Sequence, residues 1–266
     1  MNPTIRLINN RKSLRSYAHK AVERDVKNQI IHAAMRAPTA GNMMLYSILE
    51  VDSQHKKERL VESCDHQPFI AKAPFVLIFL ADYQRTFDHY LHSGVEEYCR
   101  REGRTMRTPG EGDFLLACND ALIAAQTSVL AAESLGLGSC YIGDIMENWE
   151  THRDMFSLPD YVFPVTMVCY GYPKTEYEKE KPVLRFAPGY IHFKDEYKRL
   201  SPREFRDMYA PYEKEFYSGI TFKNNAENPG QHNYARKFDS DFSREMTRSV
   251  RAALTLWQSQ EKGRDS

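Results

Sequence analysis

Near its start the chain reads Arg11-Lys12-Ser13-Leu14-Arg15-Ser16-Tyr17. Three cations and a hydroxyl crowd into five residues. Such a cluster can meet a phosphate dianion, because an arginine fork bonds two oxygens while a serine donates to a third. A solvated basic patch explains the same residues taken alone. Ala37-Pro38-Thr39-Ala40-Gly41-Asn42 lies between a helical pattern and a strand pattern. Proline and glycine fix a tight loop there, and Thr39 and Asn42 add donors and acceptors; a plain turn is the simpler alternative. The segment Glu133 to Asp144 contains Gly136, Gly138 and Gly143. A dinucleotide fingerprint requires strand then helix, whereas these glycines leave a helix and enter a strand, so that reading is excluded. A helix C-cap accounts for Gly136. It does not account for Gly143, where a bare backbone N–H can approach a planar ligand. Gly171-Tyr172-Pro173 then ends a strand and leads to Lys181 and Arg185, two cations that either rejoin a phosphate or face solvent.

These segments need elements to position them. Val26, Ile30, Ile31 and Ala34 recur at helical spacing between Glu23 and Met35, and Ala37-Pro38 ends the pattern. Tyr46 to Val51 reads as a strand, His55 to Cys64 as a charged helix, and Phe75 to Leu80 as a strand buried on both faces. Asp113 to Leu135 is a long helix, apolar nearly all round, which wants neighbours in a core or across a subunit interface. Ser139 to Ile142 and Val165 to Tyr170 are further strands, with a helix from Asp144 to Met155 between them. This interleaving predicts an α/β fold around one central sheet. After Pro182 aromatics are scattered among charges with little periodicity, which suits an arm anchored by large side chains. A last helix is predicted from Asp241 to Gln260.

The whole chain sets outer bounds. Its 266 residues suffice for one good core, and no Gly/Ser/Pro-rich linker divides them. Apolar residues make up 42% and charged ones 27%, ordinary for a soluble protein. Lysine plus arginine and aspartate plus glutamate number 36 each, so no long-range field gathers nucleic acid or an anionic membrane. The N-terminus lacks an apolar signal core, and the run Pro74 to Ala81 is too short to span a bilayer. A cytoplasmic address is expected. The five cysteines form no CxxC pair, which suggests neither a zinc site nor a disulfide framework.

Taken together, the four segments resemble the nitroreductase family of FMN enzymes, in unbroken order from about Ile8 to Arg185. Arg11-Lys-Ser-Leu-Arg15 is similar to the family's arginine-x-serine-x-(arginine or lysine) opening, and Pro38 to Asn42 to its proline-serine-x-x-asparagine loop. Leu135 to Gly143 resembles its late strand entry, and Gly171-Tyr-Pro173 through Arg185 its closing stretch. That stretch departs from the family's compact lysine-proline-arginine, because Val183 and Leu184 intervene before Arg185.

The resemblance implies an α+β sandwich with a central mixed sheet flanked by helices. The protein would be an intertwined homodimer with FMN sites at the subunit interface. Residues 1–185 would form the FMN-binding core, and 186–266 a C-terminal extension of the same domain. It further implies that Arg11, Lys12 and Ser13 hold the FMN phosphate, joined by Lys181, Arg185 or both. Arg15 would sit at the N1/O2 edge of the ring, and Gln67 would bond its pyrimidine edge. Tyr141, Ile142 and Gly143 would line one face, with the Gly143 N–H directed at N5. Pro38, Thr39 and Asn42 would arrive from the partner subunit. The flavin N5 would do the chemistry, tuned by Arg15 and Gly143, with no metal. The implied activity is two-electron ping-pong transfer from NAD(P)H to a nitroaromatic or quinone-like small molecule. A flavin reductase, a specialised reductive dehalogenase, or a non-catalytic FMN-binding dimer (a flavin reservoir or redox sensor) are the competing readings.

Overall fold

The structure, a computed structural model, describes residues 2–174, 183–222 and 224–259. In chain order the first helices are α1 (Pro3–Asn10), α2 (Arg24–Met35), α3 (Gln54–Ser63), α4 (Phe69–Lys72), α5 (Gln84–His92), α6 (Val95–Arg101), α7 (Glu111–Ser134) and α8 (Trp149–Phe156). The strands are β1 (Tyr46–Glu50), β2 (Phe75–Asp82), β3 (Gly138–Ile142) and β4 (Val162–Gly171). Two compact units result, Met1–Lys179 with Glu245–Ser266, and Glu180–Arg244.

In the first unit the strand order is β1-β2-β4-β3. Every neighbouring pair of these four strands is antiparallel, where a mixed sheet was expected. The reason lies in the order: β2 and β3 run the same way, but β4 is inserted between them. Parallel pairing enters only as a single bridge from Ser13 to Ser139 on the outer edge of β3. The two central strands, β2 and β4, are buried along their whole length, which is why both read as continuous apolar runs.

Alternate side chains of β2 feed two separate cores. Phe75, Leu77, Phe79 and Ala81 join α2 and α7 on one face; Val76, Ile78 and Leu80 join Leu14, Tyr17, Leu60 and Ile70 on the other. Helix α7 is tied to the sheet by a buried hydrogen bond of 2.6 Å between Ser128 Oγ and the hydroxyl of Tyr170. By length and composition α7 is apolar enough to cross a membrane; nine of its residues are buried against this core. Its outer stripe, Leu115, Leu116, Leu122 and Ile123, is exposed.

The predicted helix from Asp144 to Met155 is interrupted. A short 3-10 turn covers Gly143–Met146, and α8 begins at Trp149 after Asn148, whose φ of 47° breaks the helical path. The Asn148 N–H donates instead to Glu245, at 3.1 Å, after the chain has re-entered this unit. In the second unit, the expected aperiodic arm contains α9 (Pro202–Phe216), opened by a reciprocal Ser201–Glu204 capping box with proline at the first turn. Its aromatics pair with one another, Phe186 with Tyr209 at 5.0 Å and Tyr212 with Phe216 at 4.5 Å between centroids. A short helix α10 (Pro229–Asn233) follows, and then α11 (Asp241–Leu254). From Glu245 the chain belongs again to the first unit, within which Trp257 is buried against Phe114 and Tyr161.

Candidate functional site

The site begins where α7 stops. Gly136 takes φ +80°, the Leu137 N–H reaches the carbonyl of Ala132, and the Gly136 N–H reaches that of Glu133. This is a Schellman cap, and it turns the chain sharply into β3. One edge of β3 pairs with β4 and the other is open to the N-terminal strip. The Leu14 N–H donates to the carbonyl of Ser139 at 2.8 Å, and Ala18 N–H to that of Tyr172. Burial of Leu14 and Tyr17 in the second core pins the strip from beneath, leaving Ser13 and Arg15 exposed on its outer side.

Arg11 is held tightly. One Nη donates to Ser139 Oγ at 3.5 Å, and the guanidinium carbon lies 5.7 Å from the centre of the Tyr141 ring. Its Nε is buried with no hydrogen-bond partner among the described residues. Ser139 Oγ in turn donates to Glu133 at 3.1 Å. Burial pushes the Glu133 carboxyl up, opposed by Ser139 and by the Arg11 charge. Tyr141 donates its hydroxyl to Gln126, and burial pushes its pKa up to about 12. Cys140 is buried, and burial raises its thiol above the usual range despite the nearby Arg15, Ser13 and Arg11. It is therefore a packed thiol rather than a nucleophile.

The other end of the strip reaches the loop after α3. The Arg15 guanidinium lies 5.9 Å from the centre of the Phe69 ring. Two residues earlier, Gln67 Nε2 donates to Asp144 Oδ2 at 2.9 Å and to the carbonyl of Cys64 at 3.1 Å. Asp144 follows Gly143 at the exit of β3, so a chain of contacts runs from Arg15 of the strip through Phe69 and Gln67 to the neighbour of Gly143. A Cβ on Gly143 would meet nothing nearer than Met146 Cε at 4.0 Å. Its glycine is thus not demanded by the protein's own packing, and it leaves the backbone open to close approach from outside.

Pro38, Thr39 and Asn42 stand elsewhere. Ala37, at the foot of their loop, packs into the first core, on the sheet face opposite Leu14 and Tyr17. The loop is gripped by Asp120 of α7, whose two oxygens accept from the Ala40 N–H at 3.0 Å and the Leu45 N–H at 3.1 Å. Thr39 Oγ1 accepts from the Met44 N–H at 3.0 Å. Gly41, Asn42 and Met44 all have positive φ, so the tip is a strained, outward-facing turn with Pro38 and Asn42 exposed. Lys12 is half-buried. Lys181 lies outside the described residues, and Arg185 belongs to the second unit, exposed, donating to the carbonyl of Leu184. Sequence reasoning missed Asp120, which grips this loop, and Asp144, which holds Gln67; a carboxylate embedded in the apolar run of α7 is the signal that marks the first.

A cavity of about 770 Å³ lies among Tyr83, Phe87, Tyr90, Tyr98 and Arg104, and shares no residue with the strip. Among the described residues no group of three or more His, Cys, Asp or Glu side chains is placed to hold a metal.

Comparison with known proteins adds five findings. The family model described as Nitroreductase family matches residues 8–172. An FMN reductase [NAD(P)H] of Bacillus subtilis is 33% identical over 184 residues, covering 69% of this chain and 71% of that protein. An NADPH-dependent oxidoreductase of Staphylococcus aureus is 30% identical over 189 residues, 71% of this chain and 72% of that one. Among solved structures, NfrA2 of B. megaterium superposes with a TM-score of 0.79 at 28% identity, covering 99% of this chain and all of that one (100%). The NADPH:FMN oxidoreductase of Vibrio harveyi complexed with NAD+ shares the fold, with a TM-score of 0.75 at 22% identity over 95% of this chain and 98% of that one.

Proposed function

The chain belongs to the nitroreductase family, and from that premise we propose that it is an FMN-dependent NAD(P)H oxidoreductase whose acceptors are flat nitroaromatic or quinone-like molecules. The observation that supports this is the chain of contacts that ties the cationic strip to β3 at Ser139, and through Arg15, Phe69 and Gln67 to Asp144 beside Gly143. The residues fit the cofactor. The unpartnered Arg11 Nε is a buried donor of the kind a phosphate oxygen satisfies, and the open backbone at Gly143 suits a planar ring. When bound, FMN supplies the redox chemistry, taking a hydride equivalent from NAD(P)H and passing two electrons to the acceptor in ping-pong fashion.

The chain's own residues bind and orient. Arg11, Ser13 and Lys12 would hold the phosphate. Arg15 would supply a fixed positive charge beside the ring, of the kind that favours a reduced, anionic flavin. Gln67 has both amide hydrogens engaged, so its Oε1 would be the atom it offers to a ring N–H. Tyr141, Ile142 and the Gly143 N–H would line one face of the ring.

A homodimer completes the site in this reading, with Pro38, Thr39 and Asn42 of the partner subunit. Two features support it. The loop and the strip are on opposite faces of the sheet in one chain. The exposed stripe of α7, with Ile5 and Ile8 of α1 also exposed, offers an apolar surface for a second copy. The cytoplasm, where nicotinamide donors are available, is the setting proposed. A second reading, free flavin as the acceptor, is favoured by the name of the Bacillus subtilis relative.

The test is direct. The purified protein is expected to be yellow, to oxidise NADPH or NADH, and to turn over a nitroaromatic, a quinone or free FMN in steady state. The order of kcat/KM among the acceptors chooses between the two readings. A folded, colourless protein that takes up no added FMN removes both.

A further inference from the structure

The cavity of about 770 Å³ formed by α5, α6 and the loop that leads to α7 has no part in the functional reading above. Its size falls within the range of small-molecule sites, roughly 300–1,000 Å³. The protein's own contacts hold it open. Tyr83 is buried, its N–H donating to the carbonyl of Tyr161 at 3.0 Å, and Phe87 packs edge-on against the Tyr161 ring at 5.3 Å. Where α6 ends, the Arg104 N–H closes a turn on the carbonyl of Cys99 at 2.8 Å. The far end of the loop is pinned to α7, because the Asp113 carboxylate accepts from both Nη atoms of Arg107 and, at 2.9 Å, from the Gly110 N–H.

Tyr83, Phe87, Tyr90 and Tyr98 give the cavity four aromatic rings, and the rest of its lining includes two arginines but no aspartate or glutamate. The two arginines differ. Arg107 is neutralised by Asp113. Arg104 has no ion pair among the described residues; its guanidinium makes one hydrogen bond, to the Tyr98 hydroxyl at 3.2 Å, and its carbon lies 5.6 Å from the centre of that ring. The two acids of α6, Glu96 and Glu97, pair with Arg100 instead. Arg104 therefore offers a fork of uncommitted N–H donors that suits a carboxylate, and Tyr98, having accepted a hydrogen bond, keeps its own proton to donate. A phosphate dianion calls for more positive charge than one free arginine supplies. We propose that this cavity binds a planar aromatic acid of one or two rings, with its ring among the aromatic walls and its carboxylate on Arg104. The site goes beyond the flavin reading and does not rest on it, since its lining shares no residue with the cationic strip.

Cys99 supplies the readout. Its thiol is half-buried and lines the same cavity, whereas Cys64, Cys140 and Cys169 are buried. The probe is naphthoate, with naphthamide as its neutral isostere, added to the purified full chain. Naphthoate should slow iodoacetamide labelling of Cys99, followed by peptide mass spectrometry, with the same Kd that calorimetry gives. Naphthamide should bind about five- to twentyfold more weakly, the loss of one partly exposed charge-assisted contact. Arg104→Gln, a change at an exposed position, should weaken naphthoate by a similar factor and erase the preference for acid over amide. Unchanged naphthoate affinity in Arg104→Gln, or no binding to the wild type at millimolar concentration, overturns the proposal. So does binding that perturbs the flavin spectrum and leaves Cys99 unprotected, which places the probe at the cofactor. A Cys99 thiol that stays unreactive in the ligand-free wild type shows the cavity already covered, by a second copy or by another partner, and overturns it as well.

Discussion

The ring of Tyr17 occupies the space that a side chain on Gly171 would need: a Cβ there would stand 2.5 Å from Cδ1 and 3.0 Å from Cγ of the tyrosine. On the other side Pro74 Cδ closes in at 3.0 Å. The last residue of β4 is therefore glycine so that the end of the cationic strip can lie flat on the sheet, beside the Tyr17–Pro173 bridge. Gly171→Ala should destabilise the fold by about 1–3 kcal/mol, the usual range for overpacking. It should also lift the strip and weaken FMN. In a double-mutant cycle with Tyr17→Ala the two effects should be strongly non-additive; additive values in denaturant titrations would refute the fit.

Arg11 and Arg15 should separate binding from chemistry. Arg11→Ala removes a charge-assisted contact to phosphate and should weaken FMN by about 10- to 100-fold. Arg15→Ala should slow anaerobic flavin reduction by NADPH, followed by stopped flow, more than it weakens FMN. An unchanged reduction rate in Arg15→Ala would remove its assigned role.

The outer stripe of α7 gives a prediction about assembly. A charge placed there, Leu122→Glu or Ile123→Lys, touches only exposed positions. It should turn dimer into monomer in sedimentation experiments and release FMN at the same time. A monomeric wild type, or a variant that stays dimeric and yellow, contradicts the shared site.

His152 makes stability sensitive to acid. Its Nδ1 faces the carbonyl of Ile145 at 2.8 Å, and its Nε2 the hydroxyl of Ser63 at 2.8 Å. Burial holds its pKa near 4, below an ordinary value of 6.5. The unfolded chain thus takes up a proton first, and stability should fall as pH drops from about 6.5 towards about 4. The loss is bounded at roughly 3 kcal/mol. His152→Gln should show a lower melting temperature at pH 7 but a flatter decline towards acid; an equally steep decline would assign the sensitivity to other groups.

Much of this was legible because the signals are local. Continuous apolar runs gave β2 and β4, helical spacing gave α2, and a glycine after the last periodic residue gave the end of α7. The strip was readable because its charges are adjacent in sequence. What escaped depends on contacts far along the chain. Asp144 looks like the start of a helix until Asn148, tied to Glu245, breaks it. Asp120 looks like a flaw in an apolar helix until the loop some 80 residues earlier is folded onto it (the separation to Ala40). Helix α9 was missed for a different reason. Its aromatics mask the period, although the Ser201-Pro-Arg-Glu204 start is a local capping signal.

The grip of Asp120 has an evolutionary corollary. Because a core carboxylate grasps the backbone at Ala40 and Leu45, the outline of this turn is inherited from the hydrophobic interior and owes little to the side chains at its apex. Met43, exposed at the apex, can therefore change with small penalty to folding, whereas Gly41 and Asn42 are constrained by their positive φ. Change at this turn is thereby steered to its apex side chain while the scaffold underneath stays as it is.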